Sequence, residues 1–145
     1  RGGVMTWRVG PETSLVQLAA TIVLADTGAG NARVRLYTTD RPDDLGGATD
    51  TPQSEIVLAK PCATLVGGVM VLHPLNGDGA MVLLTGLPRW GELVSAAGVI
   101  VTDGSVTDLD GDGDFRVAGG ETPEGETSPL LYAGGLVLLG ETSLS

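Results

Sequence analysis

At 145 residues the chain is long enough to bury an apolar core without disulfides or a metal, and too short for two domains of ordinary size. Its 42% hydrophobic content excludes a disordered tail, and 23 Gly and 8 Pro beside only 3% aromatics point to many turns between short apolar runs. Eighteen Asp and Glu against eight Lys and Arg leave a net charge of −10, which argues against nucleic acid or an anionic membrane as partners and favours a positively charged protein surface.

Residues 1–4 precede Met5 and are expected to be a cloning remnant or a disordered end, with residues 5–145 forming a single β-sandwich domain. No secretory signal is read, and no apolar stretch reaches the roughly 18 residues that span a bilayer. In residues 12–26, Leu15, Leu18, Ala19, Ile22 and Val23 fall at i, i+3, i+4, i+7 and i+8. That spacing predicts a helix, capped by Thr13 or Ser14 and ended by Gly28. The β-branched run Thr21-Ile22-Val23 keeps a strand as the alternative. Either way this face is too apolar to stay wet, so Leu15, Leu18, Ile22 and Val23 are expected to pack on the sheet.

From residue 32 the period changes to two. Ala32, Val34 and Leu36 alternate with Arg33, Arg35 and Tyr37, as in a half-buried strand. Residues 39–53 are polar and aperiodic, a loop long enough to be functional or mobile. A second strand, residues 54–60, should stop at Pro61. The apolar runs at 69–74 and 80–86 flank Asn76-Gly77 and Asp78-Gly79, which predicts a hairpin. Residues 89–106 read as two more strands turning at 95–98. Residues 107–129 are acidic, Gly-rich and aperiodic, and are expected to form a partly mobile surface loop. Residues 130–140 supply a last apolar segment. Seven or eight short strands with turns every ten residues or so describe an all-β chain. The expected fold is an antiparallel β-sandwich or jelly roll with one N-terminal helix.

Asp108, Asp110, Asp112, Gly113 and Asp114 match the first half of a calcium loop, in which alternate carboxylates surround a hard cation. The second half departs: Gly119 stands where a bidentate Glu belongs, and Glu121 comes two residues late. The four Asp residues are therefore a candidate calcium site set beside a plain Asp/Gly turn. Cys62 is the lone cysteine and reads as a small core residue; His73 is the lone histidine and reads as a strand residue. One of each makes zinc improbable, and no nucleophile elbow accompanies His73. Trp90 is expected to anchor the core rather than bind sugar. No Walker or dinucleotide motif is present. No enzyme is expected from this set.

The order of segments carries a resemblance. Arg35-Leu36-Tyr37-Thr38-Thr39-Asp40-Arg41-Pro42 is a strand running into an Arg-Pro turn, and Asp103-Gly104-Ser105-Val106 is a turn before the last strands. Over residues 13–140 or so, the chain resembles a family of small virion proteins of tailed bacteriophages. The resemblance implies a capsid decoration (cement) protein, free of cofactors, that binds and stabilises the shell of major capsid protein. It would be made in the host bacterial cytoplasm and would sit on the outer capsid surface of the virion as a homo-oligomer, a dimer or trimer. A small tail or connector subunit, and a calcium-stabilised carbohydrate- or cell-binding module, are the alternatives.

Overall fold

The computed structural model describes residues 11–67 and 69–140, with helix side chains from Val16 onward. Residues 1–4 and Met5, read above as a remnant and a natural start, lie outside the described residues.

The predicted helix exists as α1 (Pro11–Asp26). Proline suits the first helical position, where its missing N–H has no partner to lose. Thr13 and Ser14 therefore lie inside the first turn instead of capping it. The packed face also differs from the expected one. Leu18 and Ile22 are partly buried as predicted, but Ala25 is the fully buried residue, while Ala19 is exposed and Val23 is 67% exposed. The side chain of Leu15 is not among those described. The helix is apolar on nearly every side, so its own pattern does not select a face. Its C-terminal end does. The Ala25 carbonyl accepts the Ala96 N–H at 2.7 Å, and both Asp26 carboxylate oxygens accept the Cys62 N–H at 3.1 Å. Gly28 then ends the helix as expected, with φ +138°. A Cβ there would lie 2.6 Å from the Ala97 nitrogen, so only Gly allows the helix end to sit this close to the 95–98 turn.

Eight strands follow: β1 (Arg33–Tyr37), β2 (Ser54–Val66), β3 (Val69–Pro74), β4 (Ala80–Met81), β5 (Trp90–Val94), β6 (Ile100–Thr107), β7 (Phe115–Ala118) and β8 (Leu136–Leu139). They form one sheet in the order β3-β2-β1-β5-β6-β7-β8-β4. The sheet curls strongly into a half-barrel, far enough that Val82, just after β4, bridges back to Ser54 at the start of β2. The mostly-β class with one helix is as expected. The pairing, however, makes a single curled sheet and does not display the two facing layers of a sandwich or jelly roll. Nor is it wholly antiparallel, since β6 and β7 run parallel.

Four local expectations are corrected. Asp103-Gly104 is not a turn: both residues lie inside β6, opposite Glu92 and Gly91 of β5. Pro61 does not stop β2; a register shift between Leu58 and Ala63 places it where the ladder is already interrupted. The turn at 75–79 exists, with the Gly79 N–H bonded to the Asn76 carbonyl at 3.2 Å, but it joins no hairpin. Its two flanking strands part: β3 pairs with β2 and β4 with β8. Residues 107–129 are not a continuous surface loop, because they contain β7, whose Phe115 and Val117 are fully buried. The pair β5–β6 is as predicted, turning where the Ser95 N–H donates to the Val99 carbonyl at 2.8 Å.

The core follows from strand alternation. Val34 and Leu36 of β1, Ile56 and Leu58 of β2, Leu93 of β5, Val106 of β6, Phe115 and Val117 of β7 and Val137 of β8 form one buried cluster that the curl encloses. Gln53 helps close the curl. Fully buried, it donates its side-chain amide N–H groups to the carbonyls of Leu84 at 3.1 Å and Gly86 at 2.8 Å, while its backbone carbonyl accepts the Leu83 N–H at 2.7 Å.

Candidate functional site

The aspartate-rich stretch solves a problem of chain direction. Parallel neighbours ordinarily need a crossover of a dozen or more residues. Here β7 starts beside the last two residues of β6, pairing Phe115 with Val106 and Arg116 with Thr107. The chain need only double back a short distance, and residues 108–114 do this as a stapled loop. Asp108 Oδ1 accepts the N–H groups of Asp110 at 3.1 Å and Gly111 at 3.0 Å, and Asp108 Oδ2 accepts the Thr122 hydroxyl at 2.6 Å. The Thr107 hydroxyl accepts the Gly113 N–H at 3.0 Å. Asp114 Oδ2 accepts the Ser105 N–H at 3.1 Å. A Cβ on Gly111 would come within 2.5 Å of the Thr107 hydroxyl, and one on Gly113 within 2.8 Å of its methyl. The alternation of Asp and Gly is thus explained by a tight loop folded onto Thr107. Asp110 and Asp112 point to the exposed side. The four carboxylates are not brought together, and among the described residues no three His, Cys, Asp or Glu side chains could hold one metal ion. As arranged, Asp108, Asp110, Asp112 and Asp114 do not form a calcium cage.

A second polar constellation lies on the opposite face of the central strands from the core. Arg35 is the register partner of Glu55 on β2 and of Glu92 on β5, and Glu92 is in turn opposite Asp103 on β6. A charged row therefore crosses four strands. Arg33 and Arg35 both hold Glu55 at 3.1 Å, and Arg35 Nη1 lies 3.9 Å from Glu92 Oε1. Arg41, from the 39–53 loop, pairs with Asp103 and brings the loop over this face. Glu92 is 2% exposed and accepts the Tyr37 hydroxyl at 2.7 Å, while its second oxygen has no protein partner. Burial, followed by the neighbouring Glu92 carboxylate, raises the Tyr37 phenol above its ordinary 10.0, because each disfavours a phenolate. Trp90 is buried as expected but sits outside the core cluster. It stacks on Tyr37 with ring centroids 4.4 Å apart at 12°.

The sequence reading placed Arg33, Arg35 and Tyr37 on one strand face but did not find Glu92. The available signal was the single acid in an otherwise apolar run, Glu92 in Trp90-Gly91-Glu92-Leu93-Val94. Two surface grooves lie among the described residues. One, of about 350 Å³, lies between Glu55, Val57, Leu75 and Met81; the other, of about 500 Å³, between Gly120, Glu121, Thr122 and Tyr132. The first is lined by one carboxylate, Glu55, and the second by Glu121 with the hydroxyl residues Thr122 and Tyr132. His73 lies on β3, two residues before Leu75 of the first groove, with Nε2 2.8 Å from the Thr64 hydroxyl.

The third feature is apolar. Met81 of β4 faces Leu136 of β8 across the ladder. Leu138 lies two residues beyond Leu136 on the same side, and Leu83 two beyond Met81. All four are exposed, at 62%, 52%, 44% and 53%. They form a patch on the outer wall of the curl while Val82 and Val137 between them are buried. No protein-family model, curated protein or solved structure matches this chain. No described helix is long and apolar enough to cross a membrane.

Proposed function

We propose that the protein is a non-enzymatic structural component of a tailed-bacteriophage virion. In this reading it is a capsid decoration protein that binds the outside of the major capsid protein shell and stiffens it. It is made in the host bacterial cytoplasm and works as a small homo-oligomer, a dimer or trimer. The observation that carries the reading is the exposed outer face Met81, Leu83, Leu136 and Leu138 on a chain of net charge −10. Contiguous leucine and methionine left at a surface mark a protein contact more often than chance. Acidic surroundings suit a partner whose rim carries Arg and Lys. The resemblance of the 35–42 and 103–106 segments to phage virion proteins supports the same partner. We read the two walls of the curl as the counterpart of that family's sandwich layers.

Many equivalent sites on a shell let a weak patch act with avidity. The test is co-sedimentation with expanded heads. Wild type should pellet with heads. Leu138→Asp, at an exposed position and so costing little stability, should keep its melting temperature and lose the heads. Wild type that ignores heads yet is found in tails would make the protein a tail or connector subunit and end the decoration reading.

A further inference from the structure

The sheet ends on β3, and among the described residues nothing pairs with its outer side. In an antiparallel ladder, alternate N–H and C=O groups of an end strand point away from its one neighbour. The strand is also firmly held. Met70 and Leu72 are buried at 1% and 4% and belong to the core cluster with Cys62, Ala63 and Ala25. Natural end strands are commonly guarded by Lys, a bulge or an inward charge. β3 itself carries no Lys and no inward charge, its only proline is its last residue, and the register shift in its ladder falls on β2, between Leu58 and Ala63. In addition, residues 61–77 contain no Asp, Glu, Lys or Arg. Val66, at the tip of the β2–β3 hairpin, is 62% exposed. Asp103 of β6 and the aspartate-rich 108–114 loop that follows it are separated from β3 by β2, β1 and β5.

We infer that β3 is the self-association edge of the protein: two copies pair β3 to β3, antiparallel, into a two-fold dimer with one continuous sheet. The occupant is a second copy for two reasons. Antiparallel pairing centred on Val71 is self-complementary, as a two-fold contact requires. It sets Val71 against its own copy and Val69 against His73 of the partner. And a chain of net charge −10 repels its copy over most of its surface, whereas the neutral hairpin lets two backbones approach. Because Met70 and Leu72 already fix the strand, little ordering accompanies pairing. The pairing requires no capsid, so it stands or falls apart from the decoration reading.

The experiment is sedimentation equilibrium of the full chain from micromolar to submillimolar concentration, with hydrogen exchange of the β3 amides at both extremes. The expected result is twice the chain mass at high concentration, with a dimer fraction that rises between about 0.1 M and about 1 M salt as repulsion is screened. The β3 amides should be protected only in the concentrated sample. Val71→Lys should be monomeric at every concentration, since it sets two ammonium groups face to face, and Val71→Thr should stay dimeric. Should Val71→Lys also melt early, the exchange of wild-type β3 decides alone: equal protection at both concentrations overturns the proposal. So does a wild type that remains monomeric throughout, or a dimer or trimer that survives Val71→Lys. If a monomer shows β3 protection that disappears when residues 1–10 are removed, that segment occupies the edge and the proposal fails.

Discussion

Glu92 is buried on the face of the sheet opposite the core, a costly place for a carboxylate, and its neighbours explain how it is held there. Tyr37 donates to it and Arg35 stands beside it. Glu92→Leu removes the acceptor of a buried phenol and should cost about 1–3 kcal/mol in a denaturant melt, whereas Glu92→Gln, which keeps an acceptor for Tyr37, should cost less. A melt that ranks the two the other way would assign the stability to packing instead. Cys62 is a buried thiol held away from reagents. It is 1% exposed, and burial, reinforced by the Asp26 carboxylate, pushes its thiol from 9.0 up to about 12. The thiol is therefore neutral and shielded in the folded chain, and a disulfide reagent at neutral pH should label it only after unfolding. The linkage has a definite sign. The folded value is the higher one, so this contribution is complete below pH 9 and is lost as pH climbs through about 12, because the unfolded thiol releases its proton first. The stability difference between wild type and Cys62→Ala, followed by pH-dependent melting, should be constant below pH 9 and change only above it.

Among the elements, the 108–114 loop shows how one motif serves two chemistries. Calcium loops and tight turns both favour alternating Asp and Gly, the first for ligands and the second for side-chain caps and room. The bonds of Asp108 to two backbone N–H groups and to Thr122 place this loop with the second. Asp108→Ala should lower stability by about 1–3 kcal/mol, the loss of those bonds. Calcium or EDTA should leave the melting temperature of the wild type unchanged. A rise with millimolar calcium would mean that the loop rearranges into a cage, and would revive the binding-module reading. Helix α1 teaches a related point. Its apolar residues were legible in the sequence, but its orientation was not, because anchors at Ala25 and Asp26 rotate Val23 outward.

For the molecule as a whole, curl and charge act together. The curl hides one apolar face in its interior and leaves Met81, Leu83, Leu136 and Leu138 on its outer wall. The charge is uneven, with nine acids and one base from residue 101 onward and none in 61–77. The two proposed contacts thus respond to salt in opposite directions. Binding to heads should slow as the Debye length falls from about 10 Å at 0.1 M to about 3 Å at 1 M, because steering by opposite charge is screened. Self-pairing should strengthen over the same range. Stopped-flow association with heads at the two salt concentrations checks the first. A rate that does not change would mean that the apolar face alone guides the encounter.

Composition and periodicity determined the mostly-β class, the alternation of β1, the turn at 95–98 and the end of α1 at Gly28, because each rests on residues close in the chain. Pairing was decided elsewhere. The turn at 75–79 has the local chemistry of a hairpin, yet β3 gains more by extending β2 over Ala25 and Cys62, and β4 by closing the curl on β8. Turn residues set a local reversal, but strand neighbours are chosen by what they bury together. The same reason hid the charged row: Arg35, Glu55, Glu92 and Asp103 lie on four different strands, and only register brings them into line. It also hid the exposed leucines, since an apolar run such as Leu136-Val137-Leu138 does not state which of its faces the rest of the molecule will cover.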